Sequence, residues 1–114
     1  MTRILDFTGP RAPKRFALCW LALMAGGDGK GERTREIIRK EARLQDAFEA
    51  ISTNGEAPSN GLPVRILAAD FALPLPQEDF ELLDTYVEKA AWTPQASRDV
   101  VDLWDWLSAS EKKD

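Results

Sequence analysis

The chain has 114 residues, of which 44% are hydrophobic and 30% charged. That is enough for one hydrophobic core but not two, and too apolar for disorder. It has no histidine and one cysteine, Cys19, which excludes Ser-His-Asp and Cys-His catalysis, histidine-containing zinc sites and an intrachain disulfide. The net charge of −4 is unevenly spread. Residues 1–54 hold ten Lys or Arg against seven Asp or Glu, a balance of +3, and residues 55–114 hold five against twelve, a balance of −7. Such a dipolar chain offers opposite ends to different partners, or lets its halves attract each other.

Ile4-Leu5-Asp6-Phe7 is a short apolar segment, read as a strand or an arm on the core, and Thr8-Gly9-Pro10 breaks it. Pro13 suits the first turn of a helix from about Lys14 to Met24. The run Phe16–Met24 is apolar almost all round, so it is buried on more than one side. Its nine residues fall far short of the ~20 that span a bilayer. Arg11, Lys14 and Arg15 before it and Ala25-Gly26-Gly27 after it give it the outline of a signal peptide. Asp6 and the apolar residues upstream, with tryptophan-rich helices later in the chain that need a packing partner, favour a core helix instead. Cys19 sits in this run and is expected to be an inert buried thiol. A single free cysteine suits a reducing compartment, so the expected location is cytoplasmic, with no membrane association.

Gly26-Gly27-Asp28-Gly29-Lys30-Gly31 ends the first helix. It fails as a phosphate-binding P-loop: Gly31 stands where Ser or Thr is needed, Met24 replaces the first glycine, and a helix precedes it instead of a strand. An EF-hand is also excluded, because the alternating acidic ligands and terminal glutamate are missing. The loop therefore reads as a turn between helices, with generic anion binding at the next helix start as the functional alternative.

A second helix is predicted from about Glu32 to Ser52. Ile37, Leu44 and Ile51 repeat at seven, with Ile38, Ala47 and Phe48 beside them. The two helices predict a basic hairpin over residues 13–54. Arg35, Arg39 and Arg43 recur every four residues on one face, with Lys40 nearby, and like charges so spaced repel by a few tenths of a kcal/mol per pair. That row suits phosphates or an acidic protein surface. The interleaved Glu32, Glu36, Glu41 and Asp46, and the lack of stacking aromatics, argue for a solvated or internally paired face.

Residues 55–76 read as a loop followed by an extended segment, with Val64–Leu67 strand-like and Pro74-Leu75-Pro76 unable to be helical. A minor β pairing of residues 4–7 with 64–67 is expected. An acidic hairpin follows over residues 77–110. Its first helix starts after Pro76, places Glu78 and Asp79 in the favourable first turn, and lines one face with Phe80, Leu83, Val87 and Ala90. Its second starts at Thr93-Pro94, with Val100, Val101, Trp104 and Leu107 as the core stripe and Leu103 and Trp106 beside it. Glu111–Asp114 is expected to fray.

Asp99, Asp102 and Asp105 stand three apart, opposite Glu81, Asp84 and Glu88 on the preceding helix. They read as a solvated face or a surface for a basic partner; metal and catalytic readings are weak. Trp104 and Trp106 lie about 200° apart round one helix, so both cannot face one small core. Trp106, with Leu103 and the three aspartates, forms the expected partner-binding surface.

The expected fold is mainly α: a single domain over residues 1–114, with four helices in two antiparallel hairpins. No enzymatic site, cofactor or metal is expected. The expected function is that of an accessory protein, a bacterial or phage-encoded adaptor or assembly factor that binds a larger protein or copies of itself. The alternative is a nucleic-acid accessory, such as a small DNA-packaging subunit of terminase type, contacting phosphates through Arg35, Arg39, Lys40 and Arg43.

Overall fold

The computed structural model describes residues 1–55 and 65–113. Among these, four α-helices and five strands run in the order β1 (Thr2–Phe7), α1 (Ala12–Ala25), α2 (Arg35–Ala50), β2 (Ser52–Asn54), β3 (Arg65–Leu67), β4 (Phe71–Pro76), α3 (Gln77–Lys89), α4 (Ser97–Ser108) and β5 (Glu111–Lys113). A 3-10 turn at Pro94–Ala96 precedes α4. The fold is mixed α/β with two sheets, which overturns the expected mainly α pair of hairpins.

The largest correction concerns β1. It is the central strand of an antiparallel sheet ordered β4-β1-β5. Its partners are Phe71–Pro76 and Glu111–Lys113, not residues 64–67. Residues 65–67 pair instead with Ser52–Asn54, where the end of the helical hairpin was expected, and Val64 lies outside the described residues. The physical reason is alternation. Arg3, Leu5 and Phe7 point to one face of β1 and are buried, and Leu73 and Leu75 do the same in β4, with Leu5 opposite Leu73 and Arg3 opposite Leu75. The prolines of β4 do not oppose this pairing. The Gln77 N–H donates to the Met1 carbonyl at 3.0 Å, so odd-numbered residues turn their N–H toward β1. Pro74 and Pro76 then face the open edge, where the missing donors cost nothing and discourage a further strand.

Glu111–Lys113 form a strand where fraying was expected, and Asp114 lies outside the described residues. Arg3 is buried on the inner face of β1. Its guanidinium donates to the Leu107 carbonyl at 2.9 Å and to Ser110 Oγ at 2.7 and 3.0 Å, and lies 4.1 Å from the centroid of the Phe80 ring. These contacts bring the end of α4 to β1, and β5 follows in register.

The helices do not pair off as hairpins. α1 packs more extensively on α3 than on α2, and α2 and α4 each pack on α1 and α3 rather than on each other. α1 is enclosed on several sides, as its composition predicts, and Phe7, Phe16, Trp20 and Phe48 meet edge to face in the centre. No described helix is long and apolar enough to cross a membrane. Cys19 is fully buried, and burial pushes its thiol pKa far above the ordinary range.

Candidate functional site

The outward face of α4 differs from the sequence expectation. Val100, Leu103 and Leu107 are its buried residues, so Leu103, expected at a partner surface, lies in the core. Trp106 leans toward the sheet, 5.0 Å from Phe7 between ring centroids, with the Arg15 guanidinium 5.4 Å from its own. Trp104, expected in the core, is 41% exposed, and Val101 is 50% exposed. The core axis of α4 runs between Val100 and Leu103, which leaves Trp104 on one flank and Trp106 on the other. The sheet covers the second flank and leaves the first open. The Trp104 Nε1 lies 3.5 Å from the Val87 carbonyl, at the outer limit of a hydrogen bond, and that carbonyl also accepts the Trp92 Nε1–H at 2.8 Å. Both indoles thus face a free carbonyl in the last turn of α3.

The three aspartates of α4 have different surroundings. Asp102 accepts two bonds from Arg15, both 3.0 Å, and one from Arg11 at 2.6 Å. The Arg15 hydrogen bonds first, with those of Arg11, hold its carboxyl below the usual range against the opposing effect of desolvation. Asp99 lies 3.8 Å from Lys14 Nζ. Asp105 is exposed and has no ion-pair partner among the described residues. On α3, Asp84 and Glu88 are likewise exposed and without an ion pair among those residues. Although the residue is exposed overall, partial desolvation of its carboxyl, and then the charge of Glu88, raise the Asp84 pKa.

The arginine row of α2 is similarly divided. Arg43 grips Asp79 with two bonds of 2.9 and 2.7 Å and reaches Glu78 at 3.4 Å. Lys40 pairs with Glu36 at 3.3 Å. Arg35 and Arg39 are exposed, without a partner among the described residues, and Ile38 beside them is 45% exposed.

A cavity of about 590 Å³ opens between the glycine loop, α2 and α3. The loop is fixed at both ends. Gly26, with a left-handed φ of 63°, and Gly27 return their N–H groups to the Leu23 and Ala22 carbonyls in a Schellman motif. Thr34 caps α2 by accepting the Ile37 N–H at 3.2 Å, so the start of α2 is closed by its own residue rather than left open for an anion. Glu41 lies in the cavity wall and is 5% exposed. Its Oε2 accepts the Tyr86 hydroxyl at 2.7 Å and its Oε1 accepts Arg33 Nη2 at 2.5 Å. Burial first, and then the Glu41 bond, push the Tyr86 pKa up to about 12.

Sequence reasoning missed Glu41 and Tyr86 as a site. The signal was Glu41 itself, a charge on the apolar stripe of α2 between Ile37 and Leu44. Among the described residues, no group of three or more acidic or cysteine side chains is arranged to hold a metal. Comparison with known protein families, curated proteins and solved structures finds no match to this chain.

Proposed function

We propose that the chain is a non-enzymatic assembly protein that joins head to tail with further copies of itself, the outer face of α4 seating on the outer face of α2. The observation that carries this reading is their complementarity. Val101 and Trp104 are exposed beside Asp105, which is unpaired among the described residues. Ile38 is exposed beside Arg35 and Arg39, which are unpaired among the described residues. An exposed tryptophan next to an open charge is the composition of a protein contact. A second copy carries the matching face, and Arg35 and Arg39, which repel each other four residues apart, gain a carboxylate partner there.

A two-fold dimer through α4 alone would set acidic residues against acidic residues, which complementary interfaces avoid. A contact between unlike faces has no such conflict and generates rings or filaments. Nucleic-acid binding is the weaker reading. With Arg43 and Lys40 engaged by carboxylates, two arginines remain in the row, too few for a phosphate track of the usual strength.

Light scattering on the eluting protein, at two protein and two salt concentrations, tests this reading. Multimers are expected that grow with protein concentration and shrink as salt screens the charged contacts. A single-chain mass under every condition would overturn it and leave both faces to other proteins.

A further inference from the structure

We propose that the cavity between the glycine loop, α2 and α3 binds a small alkylguanidinium cation, and that Arg33 occupies its charge site as an exchangeable internal competitor. The volume of about 590 Å³ is that of a small-molecule site. Among the described residues Glu41 is the only buried charge lining it. Lys30 and Lys89 also line the cavity, but so do Asp28 and Glu32, and these four exposed charges cancel. Arg33, which also lines the cavity, balances Glu41, so the wall favours an incoming cation only where that cation takes the place of Arg33.

A carboxylate on an apolar stripe costs stability unless it is paired, and replacement by an apolar residue is often neutral or better. Glu41 is paired on unequal terms. Tyr86 holds one oxygen from within α3, through a side chain that is itself buried. Arg33 holds the other from an irregular segment between Gly31 and Thr34, and its side chain is 62% exposed. Departure of Arg33 alone would strand the buried Glu41 charge, but a mostly exposed arginine on a glycine-bordered segment can be replaced by an incoming cation as it leaves. A free guanidinium can then make the same bond to Oε1. Ile37 and Leu82, both half-buried, line the cavity and offer apolar surface to an alkyl stem.

Tyr86 is the only tyrosine in the chain, so a protein labelled with carbon-13 tyrosine gives one reporter at the site. The probes are n-butylguanidinium, the neutral n-butylurea and inorganic phosphate, at constant ionic strength. For R33A, n-butylguanidinium is expected to shift the Tyr86 ring signals saturably. The wild type should need roughly tenfold more, because Arg33 holds the site closed for most of the time. Butylurea and phosphate should leave the signals unmoved, and R33A/E41Q should not respond to the cation. R33Q should behave as R33A does, which guards against a folding defect of one variant. Equal responses to butylguanidinium and butylurea, a response to phosphate alone, or equal affinity in wild type, R33A and R33Q would overturn the proposal. The cavity shares no residue with the two assembly faces, so its failure would not bear on assembly.

Discussion

The guanidinium of Arg43 meets the carboxylate of Asp79 fork to fork, at 2.9 and 2.7 Å, and ties the third turn of α2 to the first turn of α3. Asp79 is 1% exposed, so the bond neutralises a carboxylate that water does not reach. Removing the arginine alone strands that charge. R43A is expected to lose about 2–3 kcal/mol of stability in urea unfolding, and R43A/D79N distinctly less. An R43A loss below that of the double variant would show that the pair does not hold α2 to α3.

Gly27 has a φ of 68°, and a Cβ placed on it would stand 3.2 Å from the Tyr86 ring and 3.3 Å from the Tyr86 backbone. The left-handed conformation and the close approach act against a side chain together. G27A should cost roughly 1–3 kcal/mol in thermal or chemical unfolding. G26A shares the left-handed backbone but meets nothing within 4 Å, so it should cost less.

Asp102 sets part of the acid sensitivity. Its folded pKa lies below its unfolded value of about 3.9, because Arg15 and then Arg11 bond its charged form. Its contribution is therefore present above about pH 4 and is lost as pH falls through the lower folded value. D102N should be less stable at neutral pH and show a flatter decline below pH 4. Identical acid profiles for the two proteins would contradict the ion-pair cluster.

Tyr86 acts at the other end of the scale. Its pKa of about 12 exceeds an unfolded value of about 10, so its contribution is full below pH 10 and is lost as pH rises toward 12. Absorbance at 295 nm should show no tyrosinate until well above pH 10 in the folded protein. E41Q should bring the onset down toward the ordinary value. An ordinary titration in the wild type would mean that Tyr86 is not buried against Glu41.

The helices were legible because each carries its own period and punctuation: Pro13 opens α1, Gly26 closes it, and Leu44 and Phe48 mark the inner face of α2. The sheet was not. Its strands are short, and the identity of a strand's partner is a long-range fact: β1 meets residues about seventy and a hundred and ten positions away. Pro74 and Pro76 mask the β4 alternation, since their tolerance depends on lying at an edge. The tryptophans of α4 were misplaced for a related reason. The sequence shows that Trp104 and Trp106 diverge, but only the position of β1 decides that Trp106 is the covered one. Of the candidate surfaces, Asp105, Arg35 and Arg39 remain open, while Asp102 and Arg43 are engaged by partners 87 and 36 residues away. The cavity rests on Glu41 and Tyr86, 45 residues apart, and their meeting requires α2 and α3 to be packed first.

The most direct test of head-to-tail assembly mixes two variants, each lacking one face. R35E/R39E removes the α2 face and keeps α4, whereas V101D/W104A removes the α4 face and keeps α2. Each alone should scatter light as a single chain. Mixed in equal amounts, they should form a complex of two chains and go no further, because each supplies the one face the other lacks. Variants that both keep the wild-type mass, or that stay separate on mixing while the wild type assembles, would contradict the account.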